Sequence, residues 1–355
     1  ISTDGTIFIG TESGYFYALN NLGTTRWVYN TGTTITSSCS VSPNSATVFF
    51  GASNTLYALD TTNGNLVWSY PTTEVIRSSP VSTSSGRIIF ASDNGKIYAL
   101  SSTGALIWKT EIISEIESSP SLSSSYIFVG TSTGIVVLDK NTGAFLWNYN
   151  TGSTIVTTPT IDSSGDIYFG TISGSLYSLY SSGTLKWKYP SGGSIGSVKS
   201  TPTLTQKDIL FGSDDGNLYS LNFSGALRWL YSTTQPIVSS PTIDENGLVI
   251  FGSEDGNVYA VYSDATALSS SSWPKFMHDI WNRGNESSPL MSPPNLLPEE
   301  KFEIELSESE SDEVLHRVQD FENIGCNVYS PNLLLVFVAL IIFFFILPKI
   351  QINKM

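Results

Sequence analysis

An all-β propeller is the fold class the sequence predicts, on three observations. A Gly-x-x-x-Trp pair returns six times at a spacing of about forty residues, each period holds four short β-rich segments, and turn-forming dipeptides separate them. The pairs are Gly23/Trp27, Gly64/Trp68, Gly104/Trp108, Gly143/Trp147, Gly183/Trp187 and Gly225/Trp229.

The elements of one period follow in order. A segment containing Ser-Ser-Pro or a close variant comes first, with prolines at Pro80, Pro120, Pro159, Pro202 and Pro241. Proline there suits the start of a strand where no ladder donor is wanted, and it pins the chain as it enters the crowded centre. Next comes a strand ending in glycine, such as Ile7-Phe8-Ile9-Gly10 or Tyr168-Phe169-Gly170. A tight turn follows (Ser13-Gly14, Asn94-Gly95, Asp215-Gly216, Asp255-Gly256), built from residues that tolerate positive φ. The Asp-Gly turns lack the spaced carboxylates and distal Glu of a calcium loop, so they read as turns and no metal ligands are assigned. The third segment carries Tyr17, Tyr57, Tyr98, Tyr177, Tyr219 or Tyr259. Alternation within it, as in Asn217-Leu218-Tyr219-Ser220-Leu221, turns successive side chains to opposite faces, both of which pack on neighbouring sheets in a propeller. The tryptophan lies on the fourth, outer strand, where its ring covers the gap between adjacent sheets and contributes roughly 3 kcal/mol of burial. An aromatic cage for a ligand is the alternative, but six equivalent rings serve six interfaces and do not converge.

Counting the second-strand cores gives seven four-stranded blades, beginning near residues 6, 47, 87, 126, 166, 208 and 248. The first repeat lacks its Ser-Ser-Pro strand and the last lacks its Gly-x-x-x-Trp strand. Residues 265–281 are the expected source of the missing strand, because a propeller must join its ends to hide its edges. The chain begins at Ile1, so an eight-bladed propeller that has lost its first blade, or a removed signal, is the alternative.

The unit from Asp162 to Trp187 closely resembles the pyrroloquinoline-quinone-type (PQQ-like) β-propeller repeat, and the resemblance covers residues 1 to about 264. The segment Trp273-Pro274-Lys275-Phe276-Met277-His278-Asp279 resembles a Trp-Pro-x-Phe-x-His-Asp stretch that flanks such propellers, and it is expected to pack against the last blade. The resemblance implies a repeat architecture like that of WD40 propellers. It does not by itself imply chemistry, because one fold hosts many functions.

Composition fits an all-β extracytoplasmic domain: 14% charged against 40% hydrophobic residues, with many Ser, Thr, Gly and Asn. The formal charge of −14 and the lack of any basic run argue against a nucleic-acid partner. Four regions follow: a propeller with closing segment at 1–284, an acidic Pro/Ser-rich stalk at 285–331, a transmembrane helix at 332–348 and a short cytoplasmic tail at 349–355. The stalk runs through Glu299, Glu300, Glu303, Glu305, Glu308, Glu310, Asp312 and Glu313 and cannot bury enough apolar surface to fold alone. A docking site for a basic partner is its functional alternative. Leu333 to Leu347 is continuously apolar, and its uncharged flanks extend it to membrane-spanning length. A buried core helix would need a domain to bury it, and none remains. Lys349 and Lys354 follow the span while acids precede it, so the positive-inside rule predicts a type I protein with its propeller extracellular or lumenal.

Cys39 stands where other repeats have proline and is expected to be small, buried and near the channel; Cys326 lies beside the membrane, free to pair with another chain or carry a lipid. A bond between the two would have to join the second blade to the stalk and carries little weight. The sequons at Asn222 and Asn285 are candidate glycan acceptors.

Quinoprotein dehydrogenases of this fold hold their quinone with adjacent cysteines, a calcium bound by Glu, Asn and Asp, and a catalytic Asp. None of these can be matched here, so no catalytic, cofactor-binding or metal residues are assigned. The only histidines, His278 and His316, are expected outside the propeller. Non-enzymatic propellers that the sequence also resembles are the lipoprotein of the bacterial outer-membrane β-barrel assembly machinery and lumenal propellers of endoplasmic-reticulum membrane proteins. The expectation is a non-catalytic, membrane-tethered scaffold that binds a protein through inter-blade loops. A lumenal sensor or assembly factor is the runner-up, and a PQQ-dependent dehydrogenase is disfavoured.

Overall fold

A computed structural model describes residues 1–244, 246–279 and 282–284. The stalk, the expected span at 332–348, the tail, Asn285, His316 and Cys326 lie outside them. Every regular element among the described residues is a strand, and the strands form seven antiparallel sheets in chain order. Sheet 1 has three strands, Ile7–Gly10, Tyr15–Leu19 and Thr25–Asn30. Sheets 2 to 6 have four strands each and span residues 40–71, 81–111, 121–150, 160–189 and 203–232. Sheet 7 has three, Thr242–Ile243, Leu248–Gly252 and Val258–Tyr262.

Each complete sheet starts with a two-residue inner strand directly after its proline or, in sheet 2, directly after Cys39. Two longer, almost wholly buried strands follow, and the outer strand is half exposed. The outer strand always joins with a bulge of one residue. Ala18 pairs with Trp27 while Leu19 pairs with Thr25, so Arg26 is left over. The same slip leaves Lys186 and Arg228 unpaired in the ladder. A bulge re-aims its extra side chain, and these three cations reach an aspartate of their own sheet: Asp4 before Ile7–Gly10, Asp166 before Ile167–Thr171 and Asp208 before Ile209–Gly212.

Packing between sheets uses the residues that recur. Tyrosines of the third strand stack on the phenylalanine of the second, as Phe90 does on Tyr98 at 4.9 Å between ring centroids. A tyrosine of the preceding outer strand leans on the same ring, as in Tyr70–Tyr98 and Tyr231–Tyr259 at 6.0 and 5.7 Å. The glycine that ends the second strand has its own reason. A Cβ on Gly51 would lie 2.7 Å from the Ile76 side chain, which belongs to the loop leading into the next sheet. Gly10, Gly130, Gly170 and Gly212 make the same room for Ile35, Ile155, Val198 and Ile237.

The closing segment departs from expectation. Residues 265–279 do not add the missing outer strand to sheet 7, and Trp273 packs among residues of sheets 3 to 5 and not on that sheet. After Tyr262 the chain turns inward: Ser263 donates its N–H to Gly247 O, and Asp264 is held by Lys207 and Arg228 at 3.0 and 3.1 Å. With Asp264 fixed there, the hairpin that would lead to an outer strand does not form. The segment instead crosses the inner strands as a strap. Leu268 bridges Thr205, Trp273 bridges Ile161, Leu204 N–H donates to Pro274 O, Val41 N–H to Arg283 O and Ser82 N–H to Gly284 O. Trp273 is fully buried among residues of sheets 3 to 5. Sheets 2, 3, 5 and 6 are thus tied together at their inner strands by one short length of chain.

Candidate functional site

Two polar arrangements surround the inner strands, one on the strap and one where the chain runs into each inner strand. The strap carries three of the buried charged residues, Lys275, Asp279 and Arg283. Lys275 is 3% exposed and donates to Asn282 Oδ1 at 2.5 Å and to the carbonyls of Phe276 and Asp279 at 3.3 Å. Burial pushes its ammonium down to about 8, with the nearby Asp279 carboxylate opposing. Asp279 is fully buried and accepts from Arg283 Nε at 2.7 Å and Arg283 N–H at 3.1 Å. His278, expected outside the propeller, is buried edge-on against Trp273 at 5.0 Å. These groups hold the strap's fold: Asp279 and Asn282 close its turns with their side chains while Lys275 satisfies its carbonyls. Among the described residues no three of His, Cys, Asp and Glu come together in a way that could hold a metal.

The second arrangement comes from the residues before each inner strand, which read Ile/Val-x-Ser/Thr-Ser/Thr-Pro, with Cys39 in place of the proline before sheet 2. The first hydroxyl ties the loop to the end of the second strand. Ser78 Oγ accepts from Ala91 N–H and donates to Ala91 O, both at 2.8 Å. Ser37 with Gly51, Ser118 with Gly130, Thr157 with Gly170 and Ser239 with Gly252 repeat the pair. Ser200 departs from it, its Oγ buried without a partner. The second hydroxyl links neighbouring sheets. Ser38 N–H donates to Ser79 Oγ at 3.0 Å and Ser79 N–H to Ser119 Oγ at 2.9 Å. Thr158 N–H donates to Thr201 Oγ1 at 3.1 Å and Thr201 N–H to Ser240 Oγ at 3.0 Å. Two runs of hydroxyls, Ser79 with Ser119 and Thr201 with Ser240, therefore tie neighbouring sheets beside the inner strands, satisfying backbone donors that no ladder reaches.

Between the buried Ile/Val and the first hydroxyl sits one residue per repeat whose identity is not held: Thr36, Arg77, Glu117, Val156, Lys199 and Val238. Alternation turns this position outward in four repeats, where Thr36, Arg77, Glu117 and Lys199 are exposed, while Val156 is half-buried and Val238 is buried. Arg77 pairs with Asp93 at 2.5 Å and Lys199 with Asp214 at 2.6 Å. In each aspartate the other oxygen is buried without a partner. Burial raises Asp93 above the usual carboxylate range, Arg77 opposes this, and Glu117, Glu115 and Glu74 add to it. The result is a loop face of mixed charge beside the hydroxyls that tie the sheets.

The Gly-x-x-x-Trp residues lie at sheet interfaces. A Cβ on Gly64, Gly104, Gly143, Gly183 or Gly225 would fall 2.5–2.8 Å from the ring of Trp27, Trp68, Trp108, Trp147 or Trp187, so each indole lies on the glycine of the next sheet. Trp27, Trp68 and Trp187 also donate Nε1–H to Thr61 O, Ser102 O and Phe223 O. Gly23 meets nothing within 4 Å, and Trp229 has no such glycine after it. Cys39, expected to be buried, is partly exposed, with its Sγ 3.9 Å from Phe8 O and its thiol pushed up by burial. Asn222 uses its carboxamide oxygen to accept from the N–H groups of Ser224 and Ala226, shaping the turn before Gly225. Sequence reasoning noted Ser-Ser-Pro for its proline and missed the hydroxyls; their return in every repeat was the signal.

Solved structures share the fold. The chain is similar to BamB from Moraxella catarrhalis, at 21% identity and a TM-score of 0.63 over 72% of this chain and 81% of that one. It is similar also to the computationally designed Ika8 protein (17%, 0.64, over 73% and 81%) and to Saccharomyces cerevisiae Sqt1 (14%, 0.64, over 74% and 82%). No curated protein matches the chain. Residues 1–275 match the family described as beta-alanine-activating enzyme, beta-propeller, and the chain belongs to that family of PQQ-like repeat propellers.

Proposed function

We propose that the chain is a non-catalytic, membrane-tethered propeller of seven blades that binds a protein at the loop face beside the hydroxyls that tie the sheets. One observation carries this reading. Where the other positions of the loop are held by packing or hydrogen bonding, this position runs Thr36, Arg77, Glu117, Val156, Lys199, Val238 without rule, and it is exposed at Thr36, Arg77, Glu117 and Lys199. A position that the fold leaves free, set at fixed spacing from sheet to sheet, is where specificity is written most cheaply. The span at 332–348 would hold the propeller on the extracellular or lumenal side, with residues 349–355 in the cytosol and Asn222 and Asn285 open to glycosylation.

A photo-crosslinking residue at position 77 or 117 is expected to give protein adducts that the same residue at Val67, on an exposed outer strand, does not. Equal adducts at all three positions would remove the loop face as the site. Protease treatment of sealed microsomes should spare the propeller, and digestion from the cytosolic side would reverse the topology.

A second reading is favoured by the family match over residues 1–275: the propeller serves an enzyme that activates β-alanine. Thermal stabilisation of the chain by β-alanine would support it, and stabilisation by quinone with calcium would support a dehydrogenase. The scaffold reading expects neither.

A further inference from the structure

The bulge residue of the outer strand divides the sheets into two groups. In sheets 1, 5 and 6 it is Arg26, Lys186 or Arg228, each paired with an aspartate of its own sheet. In sheets 2, 3 and 4 it is Val67, Ile107 or Leu146, and the residue before the second strand is Ala46, Arg87 or Ser125. Both members of the ion pair are gone together in three consecutive sheets.

What replaces them is apolar and open. Leu66, Val67, Leu106, Ile107, Phe145 and Leu146 are 42–54% exposed and begin the three outer strands. Trp68, next to Val67, lies on Gly104, two residues before Leu106, and Trp108, next to Ile107, lies on Gly143, two residues before Phe145. The three doublets are therefore neighbours. Leu185 and Leu227 are exposed singly beside their cations and need no account, but adjoining doublets form a patch that marks an interaction site.

The strap brings the chain to this surface. Gly284 O accepts from Ser82 N–H and Arg283 O from Val41 N–H. Ser82 opens a row of cross-strand partners that runs Ile88, Leu100, Leu106, and Val41 opens the row Val48, Leu59, Leu66. Three strand spacings place the end of such a row about 14 Å from its start. Six residues of extended chain reach about 20 Å. Leu290 and Met291 stand six and seven residues beyond Gly284, and Leu296 and Leu297 follow. Residues 287–298 carry no charge, matching a patch that has lost its ion pairs, and Pro289, Pro293, Pro294 and Pro298 favour an extended course.

We infer that residues 287–298 dock on the outer-strand starts of sheets 2 to 4, with Leu290-Met291 and Leu296-Leu297 lying on the apolar doublets. The acidic run that begins at Glu299 then departs from the rim of the propeller and not from its centre. The loop face that holds Arg77 and Glu117 lies at the opposite ends of the strands, so docking leaves it open.

The test uses the full chain with a photo-crosslinking residue in place of Ile107 or, as control, of the similarly exposed Leu227 on sheet 6. Mass spectrometry of the irradiated monomer should find position 107 joined to residues 287–298 at least fivefold more often than position 227. Leu290→Asp combined with Met291→Asp should cut that yield at least fivefold. Independently, Ile107→Lys should speed thermolysin cleavage between residues 289 and 298 at least fivefold with the thermal midpoint of the propeller kept. If the label at 107 prevents folding, the label goes to position 67 with the same expectation. Equal yields from the rim and control positions, a yield indifferent to the two aspartates, or cleavage that Ile107→Lys leaves unchanged overturns the inference. So do products that join position 107 to a second copy of the chain, to another protein or to lipid in place of residues 287–298, because each assigns the patch to a different occupant.

Discussion

Glycine does two separate jobs in each repeat, and only one of them concerns backbone freedom. Gly104 has φ near +81° and would also bring a Cβ to 2.7 Å from Trp68, whereas Gly23, at φ +76°, faces open space. Gly104→Ala combines left-handed strain with a collision against a packed ring and should cost about 3 kcal/mol. Gly23→Ala carries the strain alone and should cost about 1 kcal/mol. Urea denaturation of the two variants reads the difference; equal losses would mean that the indole contact contributes nothing. The hydroxyls of Ser78 and its counterparts are a second residue-scale device, each satisfying one donor and one acceptor in a place where water does not reach.

The strap carries a buried ammonium, and its energetics should be visible in pH. Lys275 titrates near 8 when folded, below its ordinary 10.5. A folded-state value that is depressed in a lysine means the unfolded chain binds the extra proton. The native state therefore bears a cost below pH 8 that is relieved as pH rises toward 10.5. Relative to Lys275→Met, the wild type should gain about 3 kcal/mol between pH 7 and pH 10. Chemical denaturation of both proteins across that range checks it, and a flat difference would show that the ammonium is hydrated. The same element explains why the missing outer strand is not recovered from residues 265–279: Asp264 is anchored by Lys207 and Arg228, and the path it sets leads to the inner strands.

Across the whole molecule, stability is distributed as contacts between consecutive sheets. Sheets 2 to 5 have the indole contact on both sides, sheets 1 and 6 have it on one side, and sheet 7 has neither half of it. In such a series the terminal members open most readily. Hydrogen exchange should therefore be fastest in Val258–Tyr262, intermediate in Tyr15–Leu19 and slowest in the corresponding strands of sheets 3 to 5. Uniform protection would indicate that the strap, not the ladder, sets the order of opening. The repeat, its strand sequence and the indole interfaces were all legible in the chain, because Gly, Pro and Trp mark backbone and packing constraints that act locally and recur at fixed spacing. The incomplete first and last repeats were legible for the same reason, as absences in a regular pattern. The course of residues 265–284 was not, nor was the burial of His278 and Lys275, because these depend on which carbonyls the inner strands leave unpaired at a distance of many repeats. The loop face was half legible: Ser-Ser-Pro stood out, but its hydroxyls acquire partners only when neighbouring sheets are brought together. The sequence by itself thus determined the repeating sheet and its faces, since period and local propensity suffice for them. Only the tertiary structure decided that the strap closes over the inner strands, since that choice rests on long-range hydrogen bonds and ion pairs that no local pattern encodes.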